Sequence, residues 1–267
     1  MTRRVWQWLG LGILGLILYL SFMIVFAPAY HFARFVAMLS HNTIALQQPN
    51  GTLWRGSGTL VLNHQTGPQP LGQIQWAVHP WHLLAGSVVA DLELAGEEAE
   101  IRGMTSVGFN HYTLRNVSGF APVRMVTLMY PMTAAFGPTG RVRLNISTLE
   151  LRKNELRGSA DLIWEGAASQ LLPVTQTSDY KLHMNGQGKH AIFRIETLQG
   201  ILQVTADGEW RIFGDGMLRV QGTVAPTTPQ PALDPILNNL GPPQLDGRRA
   251  FSFETRLTFG GSPAPVP

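Results

Sequence analysis

The chain has 267 residues with a net charge of +3, and only 14% of its residues are charged, well below the roughly 25% of ordinary soluble proteins. The sequence pI is about 9.5, yet no basic cluster exceeds an Arg-Arg pair, so there is no electrostatic footprint for nucleic acid. Cysteine is absent, which excludes disulfides, thiolate metal sites and thiol nucleophiles.

Val5 to Ala29 carries no charge, and only Gln7 and Ser21 are plainly polar. A bilayer core of about 30 Å needs roughly 20 apolar residues in a helix, so residues 5–29 are expected to form a single transmembrane helix. Arg3 and Arg4 precede it, against Arg34 after it. That bias favours a cytoplasmic tip over residues 1–4 and a main domain on the far side. Ala27-Pro28-Ala29 has the small-x-small form of a signal-peptidase site. The run Leu9 to Phe26 is nonetheless longer than the roughly 7–15 residues of a signal core, so retention is expected. Phe32, Phe35, Val36 and Leu39 then fall on one helical face, and a juxtamembrane amphipathic helix is expected over 30–48.

From Asn50 the apolar period becomes two, and residues 49–259 read as one β domain. Thr59–Asn63, Gln73–His79, Val88–Leu94, Tyr180–Met184, Leu202–Ala206, Met217–Gln221 and Phe251–Phe259 alternate as strands. Arg141–Ser147 alternates as well, and the apolar phase then shifts at Leu149 and Leu151, which calls for a bulge or a turn between two strands. Glycines fall mostly at strand ends. Gly222, inside a strand pattern, argues for a bulge or curvature. The expected fold is mainly β: a curved antiparallel multi-stranded sheet, an open groove or partly closed, after one N-terminal transmembrane helix. Gly72 to Trp76, Leu83-Leu84 and Leu92 to Gly96 echo Gly158 to Trp164, Leu171-Leu172 and Leu182 to Gly186. An internal duplication is read from this, with units of about 70–120 and 156–212. Ala232 to Leu240 is expected to form a short helix closed by Gly241, and 260–267 a disordered tail.

No phosphate-loop or dinucleotide fingerprint is present, and Trp54-Arg-Gly-Ser-Gly58 does not fit G-x-S-x-G. His79-Pro-Trp-His82 lacks a third metal ligand. His111, His183 and His190 stand isolated in strands, and Glu97, Glu98 and Glu100 read as a solvated hairpin tip. No catalytic, cofactor or metal residue is assigned, and no enzyme is expected. Trp76, Trp81, Trp164 and Trp210 read as core residues on apolar strand faces. The sequons at Asn50, Asn116 and Asn145 matter only in a eukaryotic secretory route.

Gly51-Thr-Leu-Trp-Arg-Gly-Ser-Gly58, with Gly51, Leu53, Trp54 and Gly56, resembles the GspN family, protein N of the bacterial type II secretion system. Gly72 and Trp76 in Leu71 to Trp76, Gly158 and Trp164 in the second tryptophan strand, and late Leu240-Gly241 extend the resemblance over nearly the whole chain. It implies an inner-membrane protein of Gram-negative bacteria, its bulk periplasmic, assisting export of folded proteins across the outer membrane. Its implied partners are other inner-membrane components of the machine, and lipid through the anchor, with no nucleic acid and no small-molecule substrate. The family is also distantly similar to AsmA-type proteins, which implies a rival role in binding or handling lipid in the groove.

Overall fold

The computed structural model of the chain describes residues 2–40, 42–64, 67–125, 137–169, 176–228, 231–233, 237–238, 240, 242–244 and 247–256. Two helices are followed by thirteen strands among these residues, and the contacts divide the chain into one unit over residues 1–96 and a second over 97–267.

In the first unit, α1 runs Thr2–Val25 and α2 runs Ala29–Leu39. The break comes at Pro28, which lacks a backbone N–H and lies in extended conformation, φ -66° and ψ 150°, as the residue capping α2. The helical stretch expected over 30–48 therefore stops early: strand β1, Ile44–Gly51, already begins inside it. Beyond Leu39 the chain has lost its 3.6-residue apolar period, and Ser40 takes over the turn. Its hydroxyl donates to the Ile44 carbonyl at 2.9 Å. Strands β2 (Arg55–His64), β3 (Gly67–His79) and β4 (Ser87–Ala95) follow as an antiparallel meander, each paired with its predecessor. α2 lies on the apolar face of this sheet. Ala29 and Ala33 let it approach Leu46 and Trp76 closely, while Phe32, Leu60, Ile74, Val78 and Leu92 close the cluster.

Among the described residues no helix is long and apolar enough to cross a membrane, so the transmembrane helix expected over residues 5–29 is not borne out there. The described large apolar side chains of α1, Leu11 to Val25, are all exposed.

The second unit is a longer meander: β5 (Glu100–Gly108), β6 (His111–Pro122), β7 (Pro138–Arg152), β8 (Glu155–Ser169), β9 (Ser178–Gly188), β10 (His190–Gln199), β11 (Leu202–Arg211), β12 (Met217–Pro226) and β13 (Arg249–Arg256). Every pair is antiparallel. Register and alternation agree across the middle of β7 to β11. Leu144, Leu162, Leu182 and Ile195 stand side by side on one face, and Asn145, Asp161, His183, Arg194 and Asp207 on the other. Residues of β8 and β10 come within 8 Å across β9, closer than the roughly 9.5 Å of a flat three-strand span, so the sheet curls there. No pairing among the described residues returns β13 to β5, so this meander is open.

The phase shift after Ser147 is a bulge within a single strand, with the register slipping between Ile146 and Thr148. Gly158 stands opposite it, at φ 109°, where an added Cβ would lie 2.0 Å from the Thr148 carbonyl oxygen. Gly222 marks no bulge: β12 keeps its register on both sides, and the residue is small because Thr205 and Ala206 crowd it. After β12 the chain folds back over the apolar face, burying Leu233 and Leu237 against Ile201 and Val224. Of the helix expected over 232–240, only residues 232–233, 237–238 and 240 are described, and 260–267 lie outside the described residues.

Candidate functional site

The turn between β1 and β2 is where the sequence motif Gly51 to Gly56 lies, and it grips the junction between the two helices. Gly51 ends β1 at φ 92°. Thr52 closes the turn, its backbone N–H donating to the Arg55 carbonyl at 2.7 Å. Thr52 also bridges to Pro28. The Leu53 N–H donates to the Ala27 carbonyl at 2.8 Å. The Trp54 indole N–H donates at 2.8 Å to the carbonyl of Ile24. That carbonyl belongs to the last turn of α1, where the final four carbonyls have no partner within the helix. Sheet and helix are thus joined through the chain break itself.

Trp76 locks the same junction from beneath. Its ring is 3% exposed and stacks on Phe32 of α2, centroids 4.4 Å apart and planes 15° from parallel. Its indole N–H is shared between the carbonyls of Thr52 and Leu53, at 3.3 and 3.2 Å. Gly56 makes room for that ring: a Cβ there would lie 2.4 Å from both the indole and the Asn50 carbonyl oxygen. The motif residues Gly51, Leu53, Trp54, Gly56 and Trp76 are therefore brought together. Gly72, in the middle of β3, is not among them; a Cβ there would meet the Ala95 carbonyl.

Trp164 occupies the corresponding place on the β8–β9 hairpin of the second unit. Its indole N–H donates to the Thr139 carbonyl at 2.9 Å, and its ring meets Tyr180 at 6.2 Å. Trp76 faces Leu92 and Ile74 faces Leu94, while Trp164 faces Tyr180 and Leu162 faces Leu182. Leu94, and not Leu92, thus stands where Leu182 stands. A two-residue offset keeps side chains on the same face, which is why the sequence landmarks matched imperfectly. Leu171-Leu172 and Gly241 lie outside the described residues, and Leu240 is exposed.

The ionisable groups are arranged as surface pairs. His79 meets Asp91 at 2.8 Å, His183 meets Asp161 at 2.9 Å, and His190 meets Glu209. His183 and His190 are thus not isolated; each stands opposite or diagonal to a carboxylate across the ladder. Glu98 of the expected acidic tip pairs with Arg124. Hydrogen bonding to Asp207 and Glu254 holds the guanidinium groups of Arg194 and Arg219 above their ordinary pKa. Among the described residues no group of three or more His, Asp or Glu side chains is placed to hold a metal.

Two features escaped the sequence reading. Trp81, expected in the core, is 79% exposed on a 3-10 turn, Pro80–Ala85. On the curled apolar face of the second unit, a pocket of about 280 Å³ is lined by Leu162, Trp164, Tyr180, Leu182, Ile195 and Val204, together with Lys181.

Comparison with known proteins finds no match among curated proteins and none among solved structures. The family model described as type II secretion system (T2SS), protein N matches residues 42–252, which is most of the chain and includes the Gly51 to Gly56 turn and both tryptophan strands; α1 and α2 lie before it. The chain belongs to the protein N family of the type II secretion system.

Proposed function

We propose that this protein is a non-catalytic accessory component of the type II secretion machinery, held at the inner membrane by α1 with both β units in the periplasm. Family membership supports a role in secretion and contact with other components of the system. The apolar sequence of residues 5–29, with Arg3 and Arg4 before it, supports the anchor and its orientation. The observation that carries the reading is the clasp. Trp54, Leu53 and Thr52 bind the end of α1 and the break after it. A secretion component that must hold a site near the membrane gains from such a joint, because a flexible linker would let the sheet wander.

The clasp also bears on processing. Ala29 is 2% exposed, the Ala27 carbonyl accepts from Leu53, and Pro28 is bridged to Thr52. These bonds hold the segment in place in the folded unit, which supports retention of Ala27-Pro28-Ala29.

The test is genetic and biochemical. In a strain lacking the protein, exoproteins should accumulate in the periplasm, and the intact gene should restore their release. Normal secretion by the deletion strain would overturn an assisting role. Resistance of the full chain to alkaline carbonate extraction, with the β units open to protease only from the periplasmic side, tests the anchor.

A second reading is favoured by the pocket on β8–β11. Its lining side chains are apolar apart from Lys181 and the Tyr180 hydroxyl, which suits an acyl chain better than a peptide backbone needing hydrogen-bond partners. Lipid identified by mass spectrometry in the purified full chain, and lost on Leu182→Asp, would favour lipid handling.

A further inference from the structure

The 3-10 turn Pro80–Ala85 buries none of its residues. Trp81 is 79% and Leu84 86% exposed, and Leu83 and the following Val88 are exposed as well. The turn is nevertheless ordered by its own bonds: Gly86, at φ 73° and ψ 23°, ends it and donates to the Leu83 carbonyl at 3.0 Å. It contains no acidic side chain in its first turn. An indole and two leucines on one exposed turn form an interaction patch, not incidental surface.

Its location says what covers it. The Trp54 indole donates to Ile24 at the end of α1, and the Trp54 carbonyl in turn accepts from the Val78 N–H at 2.7 Å. Val78 stands two residues before the turn begins. One residue therefore connects the end of the N-terminal helix to the foot of the turn. Phe22, Phe26 and Tyr30, all exposed, belong to the same end of the unit. Gln69, exposed near the opposite end of β3, lies about 33 Å away along the strand.

We propose that Pro80–Ala85 is a second membrane contact, with Trp81, Leu83 and Leu84 entering the interfacial zone of the bilayer that α1 spans. This rests on the reading of α1 as a membrane anchor. Tryptophan favours the headgroup zone because its ring is apolar and its N–H still finds a partner there, while leucine side chains reach the acyl boundary. With Trp54, Phe26 and Tyr30 the turn completes an aromatic belt around the exit of the helix. Attachment at two points fixes the tilt of the first unit, which a single helix leaves free.

The cysteine-free chain makes the test direct. Full-length Leu84→Cys and Gln69→Cys, each carrying an environment-sensitive fluorophore, are reconstituted in phosphatidylcholine vesicles containing nitroxide-labelled lipid. Each sample is also washed with alkaline carbonate. The expected result is retention in the vesicles with quenching at position 84 several-fold stronger than at 69. Retention with equally weak quenching at both positions overturns the inference while leaving the anchor intact, and assigns the patch to a protein partner. Equally strong quenching at both positions also overturns it, since the unit would then lie flat in the lipid. Release by carbonate removes the anchor and this inference together.

Discussion

Replacing Trp76 with alanine tests the packing of the first unit at the point where helix, turn and sheet meet. An indole buries up to about 250 Å², and at about 25 cal/mol per Å² its removal would forfeit roughly 6 kcal/mol. Compact unfolded chains already bury part of that area, which lowers the figure by about 10–40%. The shared hydrogen bond to Thr52 and Leu53 adds about 1 kcal/mol. Partial collapse of α2 onto Leu46 recovers some of the cavity. The expected loss is about 3–5 kcal/mol, in the range measured for aromatic-to-alanine changes in cores. The assay is urea unfolding of the full chain in detergent micelles, followed by far-ultraviolet circular dichroism. A double-mutant cycle with Phe32→Leu should give a coupling of about 0.5–1.5 kcal/mol, because those rings stack. A loss below about 1 kcal/mol, or no coupling to Phe32, would refute the reasoning: the ring would then not be holding α2 to the sheet.

Trp54→Phe keeps the ring and removes the donor to Ile24; it should cost about 1 kcal/mol and increase protease cleavage around Ala27 to Ala29, scored by N-terminal sequencing. Gly56→Ala should cost about 1–3 kcal/mol by overpacking against the Trp76 ring, measured by the same urea titration. Gly158→Ala should destabilise the second unit by about 1–3 kcal/mol, since both the backbone at φ 109° and the Thr148 carbonyl oppose a side chain; hydrogen exchange in β7 and β8 will report it locally. Arg219→Gln removes one exposed pair with Glu254 and should leave the melting temperature unchanged, because solvent screens exposed ion pairs.

The strands were legible because alternation is enforced wherever one face is apolar. The register shift after Ser147 was legible for the same reason: a bulge must change the phase of the pattern. Periodicity alone could not choose between a bulge and a turn, since both change phase; the unbroken pairing of β7 with β8 on both sides of Ile146 and Thr148 decides for the bulge. Trp81 was misjudged because it lies within a few residues of Trp76 yet falls after Pro80, where the strand period no longer applies. The end of α2 was missed because Ile44 and Leu46 extend an apolar content that suits helix or strand, and only tertiary pairing with Leu62 and Leu60 settles it. The clasp was visible as a motif but not as a mechanism. Nothing in Gly51 to Gly56 announces that an indole thirty residues from Ile24 will satisfy its carbonyl.

Both meanders pair each strand with the one made just before it. The entropic cost of closing long loops is therefore small throughout, which places this β protein at the fast, local end of folding behaviour for its class. A chain that emerges N-terminus first never waits for a distant partner: each new strand finds a completed edge to join. Stability is distributed in the same way, as a sum of neighbour terms along a line, as in solenoids. Damage at one hairpin of the second unit should thus fray the sheet outward from that point and spare the clasp around α1.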